Sequence, residues 1–258
     1  MTPPTDHRTD HPSNHRADHG AGERPASDRD VPATMTAAVA RRYGGPEQVA
    51  VEDVPIPVPA DDQVLVRVDA SSLNALDWHF LTGTPYFLRL LNGLRRPKRI
   101  VPGADVAGTV VAAGADVTRF AVDRAVFGET GGGGCGPYLT AKDTGLVHRP
   151  DGVSTDAAAA TPVAGLTALQ GLRDHGAVSP GDRVLINGAA GGVGTFAVQI
   201  AVALGAEVTA VCSTRNVDMV RRRAAADVLD YTSDDVTALG RRFDVMLDNV
   251  GNHTSQQC

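Results

Sequence analysis

Apolar positions along the chain follow two rhythms, and the change between them falls near residue 155. Before that point the apolar runs are short, β-branched or alternating, and divided by glycine and proline. They begin at Thr36 with Ala38 and Ala40, and continue at 63–70, 106–113, 125–127 and 146–148. Val64, Val66 and Val68 share one face of a two-residue repeat. Short strands with glycine punctuation predict a compact β-barrel-like domain up to about residue 150. Segment 54–59 alternates proline with apolar residues. Each proline removes a ladder donor, which excludes a central strand and predicts an extended connector. After residue 155 the period lengthens. Residues 155–175 are Ala- and Leu-rich at helical spacing, and Ser179-Pro-Gly-Asp182 supplies a turn. A buried strand at 183–187 leads through a glycine loop to a helix at 195–204 and a second strand at 207–212. Helix-like 217–226, a strand at 228–231 and an apolar strand at 243–249 follow. Strands alternating with helices predict a parallel, doubly wound sheet.

Residues 1–34 belong to neither rhythm. They are rich in Pro, Asp, Arg and His, lack apolar periodicity and hold no apolar run of the signal-peptide kind, so they read as a disordered tail. His7, His11, His15 and His19 would align on one helical face as a metal stripe, but Pro12 and the polar surroundings oppose a helix. The folded part begins at Met35, which is also a candidate translation start. Composition narrows the function classes. With 42% hydrophobic and 21% charged residues over 258 positions, the chain is of the globular kind. No run approaches the ~18 apolar residues of a membrane span, which excludes a membrane-spanning role and favours a cytoplasmic one. Thirty acidic against 24 basic residues, net −6, oppose nucleic acid as the main partner. Cys135, Cys212 and Cys258 are too few and too far apart for a disulfide framework or a cysteine metal cluster.

Candidate chemistry concentrates in Val184-Leu-Ile-Asn-Gly-Ala-Ala-Gly-Gly-Val-Gly194. A predicted strand precedes it and an apolar helix follows, the context in which such a loop binds a dinucleotide. Asn187, Ala189, Ala190, Gly191, Gly192, Val193 and Gly194 are the binding candidates. The small residues let a pyrophosphate approach backbone amides at the positive helix end. At the end of the next strand the chain reads Ser213-Thr214-Arg215-Asn216, with no acid until Asp218. An acid there would hold a ribose 2′-hydroxyl, whereas an arginine fork with two hydroxyl donors suits a 2′-phosphate. NADPH is the expected cofactor, although the same residues also serve as a helix cap.

Further motifs join these in order. Gly181-Asp-x-x-Leu185, Ala189 to Gly194 and Gln199 resemble the signature of quinone oxidoreductases in the medium-chain dehydrogenase/reductase family. Residues 161–168 (Thr-Pro-Val-Ala-Gly-Leu-Thr-Ala), Asp230-Tyr231 and Asp248-Asn-Val-Gly251 resemble it as well. At the front, Tyr43-Gly-Gly-Pro-Glu47, Asn74-x-x-Asp77-Trp78 and Pro102-Gly-x-Asp-Val-Ala-Gly108 are similar to the family's catalytic domain. The resemblance implies an α/β chain: a GroES-like β-barrel domain at 35–154, then a partial Rossmann sheet, doubly wound and parallel, at 155–258. It implies hydride transfer from NADPH to a quinone or α,β-unsaturated carbonyl, or alcohol–carbonyl interconversion. Asn74 is then the catalytic candidate near the nicotinamide, with Asp77 supporting it, and Tyr43 and Tyr86 lining the substrate cleft. Thr167, Tyr231, Asn249 and Val250 join the cofactor-binding set.

Zinc-dependent relatives carry a Cys ligand near position 74 and a Gly-His-Glu motif where this chain reads Gly103-Ala104-Asp105. Their structural zinc takes four cysteines, and only Cys135 lies nearby, so both zincs are predicted absent. The basic run Arg95-Arg96-Pro-Lys98-Arg99 reads either as a solvated face or as phosphate recognition. Tyr138-x-x-x-Lys142 imitates a short-chain dehydrogenase pair but precedes the glycine loop, and His79 and His175 lack ligand or triad partners. Departures from the family pattern include Asp123-Arg124-Ala125 in place of Gly-Asp-x, which is costly where the turn needs positive φ. Val202 replaces a basic residue, and Arg223-Ala-Ala-Ala226 replaces a Leu-Gly-Ala-Asp element. Counting strands gives four where a dinucleotide fold has six. That predicts a C-terminally incomplete sheet with an uncovered apolar edge, poor solubility, and a weakly active or inactive NADPH-binding fragment as the alternative to an enzyme. Homodimerisation is expected of the full-length protein and doubtful for this chain.

Overall fold

The computed structural model describes residues 31–223, 225–234, 240 and 243–252. The four-histidine stripe and Cys258 lie outside the described residues, as does all of the expected tail but its last four positions. Strand β1 (Thr34–Ala40) pairs antiparallel with β2 (Val49–Pro55) as a two-stranded sheet. Here the expected connector is corrected in part: Val54 and Pro55 end a strand, and Val54 is buried. Proline is tolerated because Pro55 sits at the terminal register position, opposite Thr34, on a strand that pairs on one side only.

Five more strands form an antiparallel sheet in the order β6-β3-β4-β5-β7. They are β3 (Gln63–Ala70), β4 (Asp105–Ala113), β5 (Ala125–Glu129), β6 (Tyr138–Lys142) and β7 (Leu146–His148). Its core holds Val64, Val66, Val106, Val110, Val126 and Leu146, with Val68 packed half-buried against them. Between β3 and β4 lie α1 (Ala75–Thr82) and the short α2 (Leu88–Asn92). Asp123, in the turn before β5, has φ 67°, so the position that lost its glycine is the one where the backbone turns left-handed.

The second rhythm becomes α3 (Thr155–Ala159), α4 (Pro162–Leu169) and a π-helical turn at Gln170–His175. Pro162 breaks the expected single helix, since a proline is at home only in a first turn. Four parallel strands follow in the order β10-β9-β8-β11. They are β8 (Arg183–Asn187), β9 (Glu207–Cys212), β10 (Asp227–Asp230) and β11 (Val245–Asp248). Helix α5 (Gly192–Ala203) starts three residues before the expected Thr195, and α6 (Val217–Arg221) is shorter than expected. Leu172, Val184, Ile186, Val198, Val208 and Ala210 form the second core. Burying a side chain of the Leu or Ile kind is worth about 1.5–3 kcal/mol. Among the described residues no helix is long and apolar enough to cross a membrane.

Candidate active site

The carboxyl ends of the four parallel strands converge on the loop between β8 and α5. Ala189 N–H donates to Val211 O (2.9 Å), which ties the loop to the end of β9. Gly188 turns at φ 76°, and a Cβ there would lie 2.8 Å from Val250 Cγ2. Gly194 packs hardest: a Cβ would fall 2.7 Å from Ala189 Cα and deep inside the Gly188 carbonyl oxygen. Gly191 and Gly192 differ, because a Cβ at either meets nothing nearer than 3.5 Å. The loop is therefore closed behind, where helix packs on strand, and open in front at the amino end of a twelve-residue helix. That shape fits a diphosphate laid on backbone amides. Asn187 is buried, and its amide donates to Asp248 Oδ1 (2.9 Å) and Asn252 Oδ1 (2.8 Å). Asn249 Nδ2 donates to Asn187 O (3.1 Å). Asn187 and Asn249 thus hold the loop after β11 against β8, with Val250 over Gly188.

At the end of β9, Ser213 accepts from Asn216 Nδ2 (3.1 Å). Arg215 is exposed, and no acid among the described residues pairs with it. Tyr231 N–H donates to Cys212 O (3.1 Å), which brings that exposed residue beside Ser213. Sequence reading missed Asp230. Hydrogen bonds from Thr214 and Thr232 hold its carboxyl below the usual carboxylate range, and Thr232 Oγ1 donates to it at 2.7 Å. Thr214 Oγ1 also lies 2.8 Å from Thr232 Oγ1, so that hydroxyl is already engaged. The Asp-Tyr pair of the motif was the available signal.

The predicted catalytic region is organised by a second residue that the sequence did not single out. Asp105 opens β4 and is fully buried. Its Oδ2 accepts from Ser72 Oγ (2.8 Å) and Asn74 Nδ2 (3.0 Å), and its Oδ1 from the amide of Val163 (3.0 Å) in the first turn of α4. Burial raises the Asp105 carboxyl above its usual value, and these hydrogen bonds oppose the shift. Asn74 donates as well to Ser72 Oγ (3.2 Å), so both hydrogens of its amide are engaged. Asp77 behaves as expected of a support. Its Oδ2 accepts from Asn74 N–H (2.8 Å), and its Oδ1 from the amides of Gly103 (3.1 Å) and Ala104 (2.9 Å).

Tyr43 and Tyr86 come together eight residues of helix away from Asn74, about 12 Å along α1. Arg89 lies between them, 4.5 Å from the Tyr43 ring centre and 4.8 Å from that of Tyr86. The Tyr43 hydroxyl donates to Gly93 O (2.5 Å), and burial pushes it up against the opposing charge of Arg89. The Tyr43 hydroxyl is therefore committed, while Tyr86 is exposed. Thr167, on α4, is exposed with its hydroxyl donated to Val163 O (2.6 Å). Among the described residues no three His, Cys, Asp or Glu are grouped to hold a metal, and the Asp77 and Asp105 oxygens accept amide and hydroxyl donors.

Residues 60–165 match the family described as alcohol dehydrogenase GroES-like domain, and residues 192–258 that described as zinc-binding dehydrogenase. A chloroplastic quinone oxidoreductase of Triphysaria versicolor is 38% identical over 221 residues, covering 79% of this chain and 64% of its own length. A trans-enoyl reductase of Aspergillus terreus is 39% identical over 206 residues, covering 74% of this chain and 55% of its own. The structure of a quinone oxidoreductase from Coxiella burnetii superposes with a TM-score of 0.76 at 31% identity, covering 84% of this chain and 69% of that one. The chain thus spans somewhat less than two thirds of the curated relatives it matches.

Proposed function

The chain belongs to the medium-chain dehydrogenase/reductase family, in its quinone-oxidoreductase-like branch, and we propose that it transfers hydride from NADPH to a small quinone or α,β-unsaturated carbonyl without zinc. The observation that carries this is the loop at 188–194, closed behind by Gly194 and open in front at Gly191 and Gly192. When bound, the nicotinamide supplies a hydride. The chain's part is to hold and orient. Gly191, Gly192 and Val193 take the diphosphate, Asn187 and Asn249 fix the loop that closes over it, and Tyr231 flanks the adenosine end. The uncommitted fork of Arg215, with Ser213, takes the 2′-phosphate. Asn74, locked by Ser72, Asp105 and Asp77, orients the reacting pair, and Tyr43 and Tyr86 wall the substrate. A conjugated carbonyl suits a site without a metal, because conjugation carries the developing charge to an oxygen that hydrogen-bond donors can stabilise. The barrel-side residues 35–154 and the sheet-side residues 155–258 are the two functional units.

A second reading, for NADH, is favoured by one observation: the Asp230 carboxylate beside Thr214, where it could accept from a ribose hydroxyl. Fluorescence titration of the two dinucleotides separates the readings. NADPH is expected to bind at least about tenfold tighter, and Arg215→Ala to remove most of that preference, since a hydrogen bond to a charged group is worth about 1.5–3 kcal/mol. Equal or tighter NADH binding overturns the NADPH assignment. Oxidation of NADPH with a small quinone and a small enone is expected to proceed unchanged in the presence of a zinc chelator. Turnover that collapses on chelation and returns with added zinc overturns the metal-free assignment.

A further inference from the structure

Helix α2 presents its apolar stripe outward. Phe87, Leu90 and Leu91 stand at i, i+3 and i+4, and Leu94 follows past the turn at Gly93. Their exposures are 63, 71, 72 and 67%. The inward side is polar. Asn92 is buried, with its carbonyl accepting from Lys98 N–H (2.6 Å), while Arg89 is stacked between two tyrosines. An apolar stripe at this spacing ordinarily faces a core. On the neighbouring helix α1, Trp78 is half exposed, and Leu73 just before it is 79% exposed. The sequence that forms this face carries charge of one sign, although Arg41 at the hollow beside it is paired with Glu52. No Asp or Glu occurs between Asp77 and Asp105, a span that holds Arg89, Arg95, Arg96, Lys98 and Arg99. Arg95, Arg96 and Lys98 form no ion pair among the described residues. Arg95 and Arg96 line an open hollow with Arg41, Arg42, Tyr43 and Arg89.

We infer that this face, formed by the outward stripe of α2 and the arginines beside it, docks on an anionic lipid surface. A free phosphate would engage the arginines but leave the stripe in water. A second copy would set one strongly basic face against another. A bilayer interface offers acyl boundary to Phe87, Leu90, Leu91 and Leu94, and anionic headgroups to Arg95, Arg96 and Lys98. Trp78 and Tyr86 are side chains that sit well at that boundary. The chain's net charge of −6 orients the encounter, since the rest of the molecule is repelled by the same headgroups. Docking here brings the walls of the substrate cleft, Tyr43 and Tyr86, to the membrane, and it does not depend on which reaction the cleft performs.

Co-sedimentation of the whole chain with vesicles tests the inference, using neutral phosphatidylcholine against phosphatidylcholine with about 30% phosphatidylglycerol. Binding is expected to the anionic vesicles, to weaken as salt rises, and to be nearly absent from the neutral ones. The single tryptophan, Trp78, is expected to shift its emission to the blue on binding. Arg95→Glu with Arg96→Glu, and separately Leu90→Ser with Leu91→Ser, are each expected to weaken binding by about tenfold or more while the circular dichroism melt is retained. Failure of the unaltered chain to bind anionic vesicles overturns the inference, as does equal binding to neutral ones. Full retention by the leucine variant, with release by millimolar inorganic phosphate, also overturns it and leaves a bare anion site.

Discussion

Four residues carry forces that can be isolated. Gly194 and Gly192 lie two positions apart in the same loop, yet a Cβ at one strikes backbone and at the other makes only an ordinary contact with Ala164 Cβ at 3.9 Å. Gly194→Ala is expected to lower stability by about 1–3 kcal/mol, read as a lowered melting temperature. Gly192→Ala is expected to leave the melt unchanged and to weaken dinucleotide binding alone. Asp123 at φ 67° is a departure visible in the sequence whose cost is visible only in the backbone. Asp123→Gly is expected to stabilise the chain by up to about 1 kcal/mol in urea unfolding. Asp105 shows what sequence reading could not reach. Its partners Asn74, Ser72 and Val163 are 31, 33 and 58 residues away, and no local pattern encodes which strand end will meet which helix start. Asn74 and Asp77 were legible because their bond spans a single turn of chain.

At the scale of elements, rhythm was a reliable guide wherever a strand or helix had one face to bury. The parallel strands and β1, β3, β4, β5 and β7 fall within a few residues of expectation, since β-branched alternation and helical spacing follow from burial itself, whereas β6, α1 and α2 had no such expectation. The misses have separate causes. β2 was hidden by a proline that its edge position tolerates, and α5 begins in glycines whose weak helix preference is overridden by the packing of Gly194 on the loop. The orientation of α2 was hidden too, because spacing marks an apolar face without saying what it turns towards. The loop after β11 is tied to β8 by the buried amide of Asn187 together with Asn249. Asn187→Ala is expected to cost about 1–3 kcal/mol and to raise amide exchange at residues 249–252 well above that at β8, because the loop loses its tie while the strand keeps its ladder.

For the whole molecule, carboxyls displaced from their usual range set a pH profile whose sign can be worked out. Burial holds Asp105 above the usual carboxylate value. The folded chain therefore binds more protons than the unfolded one as pH climbs from the ordinary carboxylate range, and stability falls across that window. Asp230 and Asp244, held low by hydrogen bonds, add stability that is present above the ordinary value and gone once pH has fallen through their lowered values. Urea midpoints are expected to decline from mildly acidic to neutral pH, and the decline to shrink in Asp105→Asn; an unchanged slope in that variant would assign it elsewhere. The same carboxylate ties the start of β4 to the start of α4. One oxygen sits with Ser72 and Asn74 on the barrel side, and the other holds the Val163 amide at the start of α4. An opening that parts α4 from the start of β4 strips that amide of its acceptor. Deuterium uptake at Val163 is then a clock for that opening, while Asn74 keeps its bond to the other oxygen.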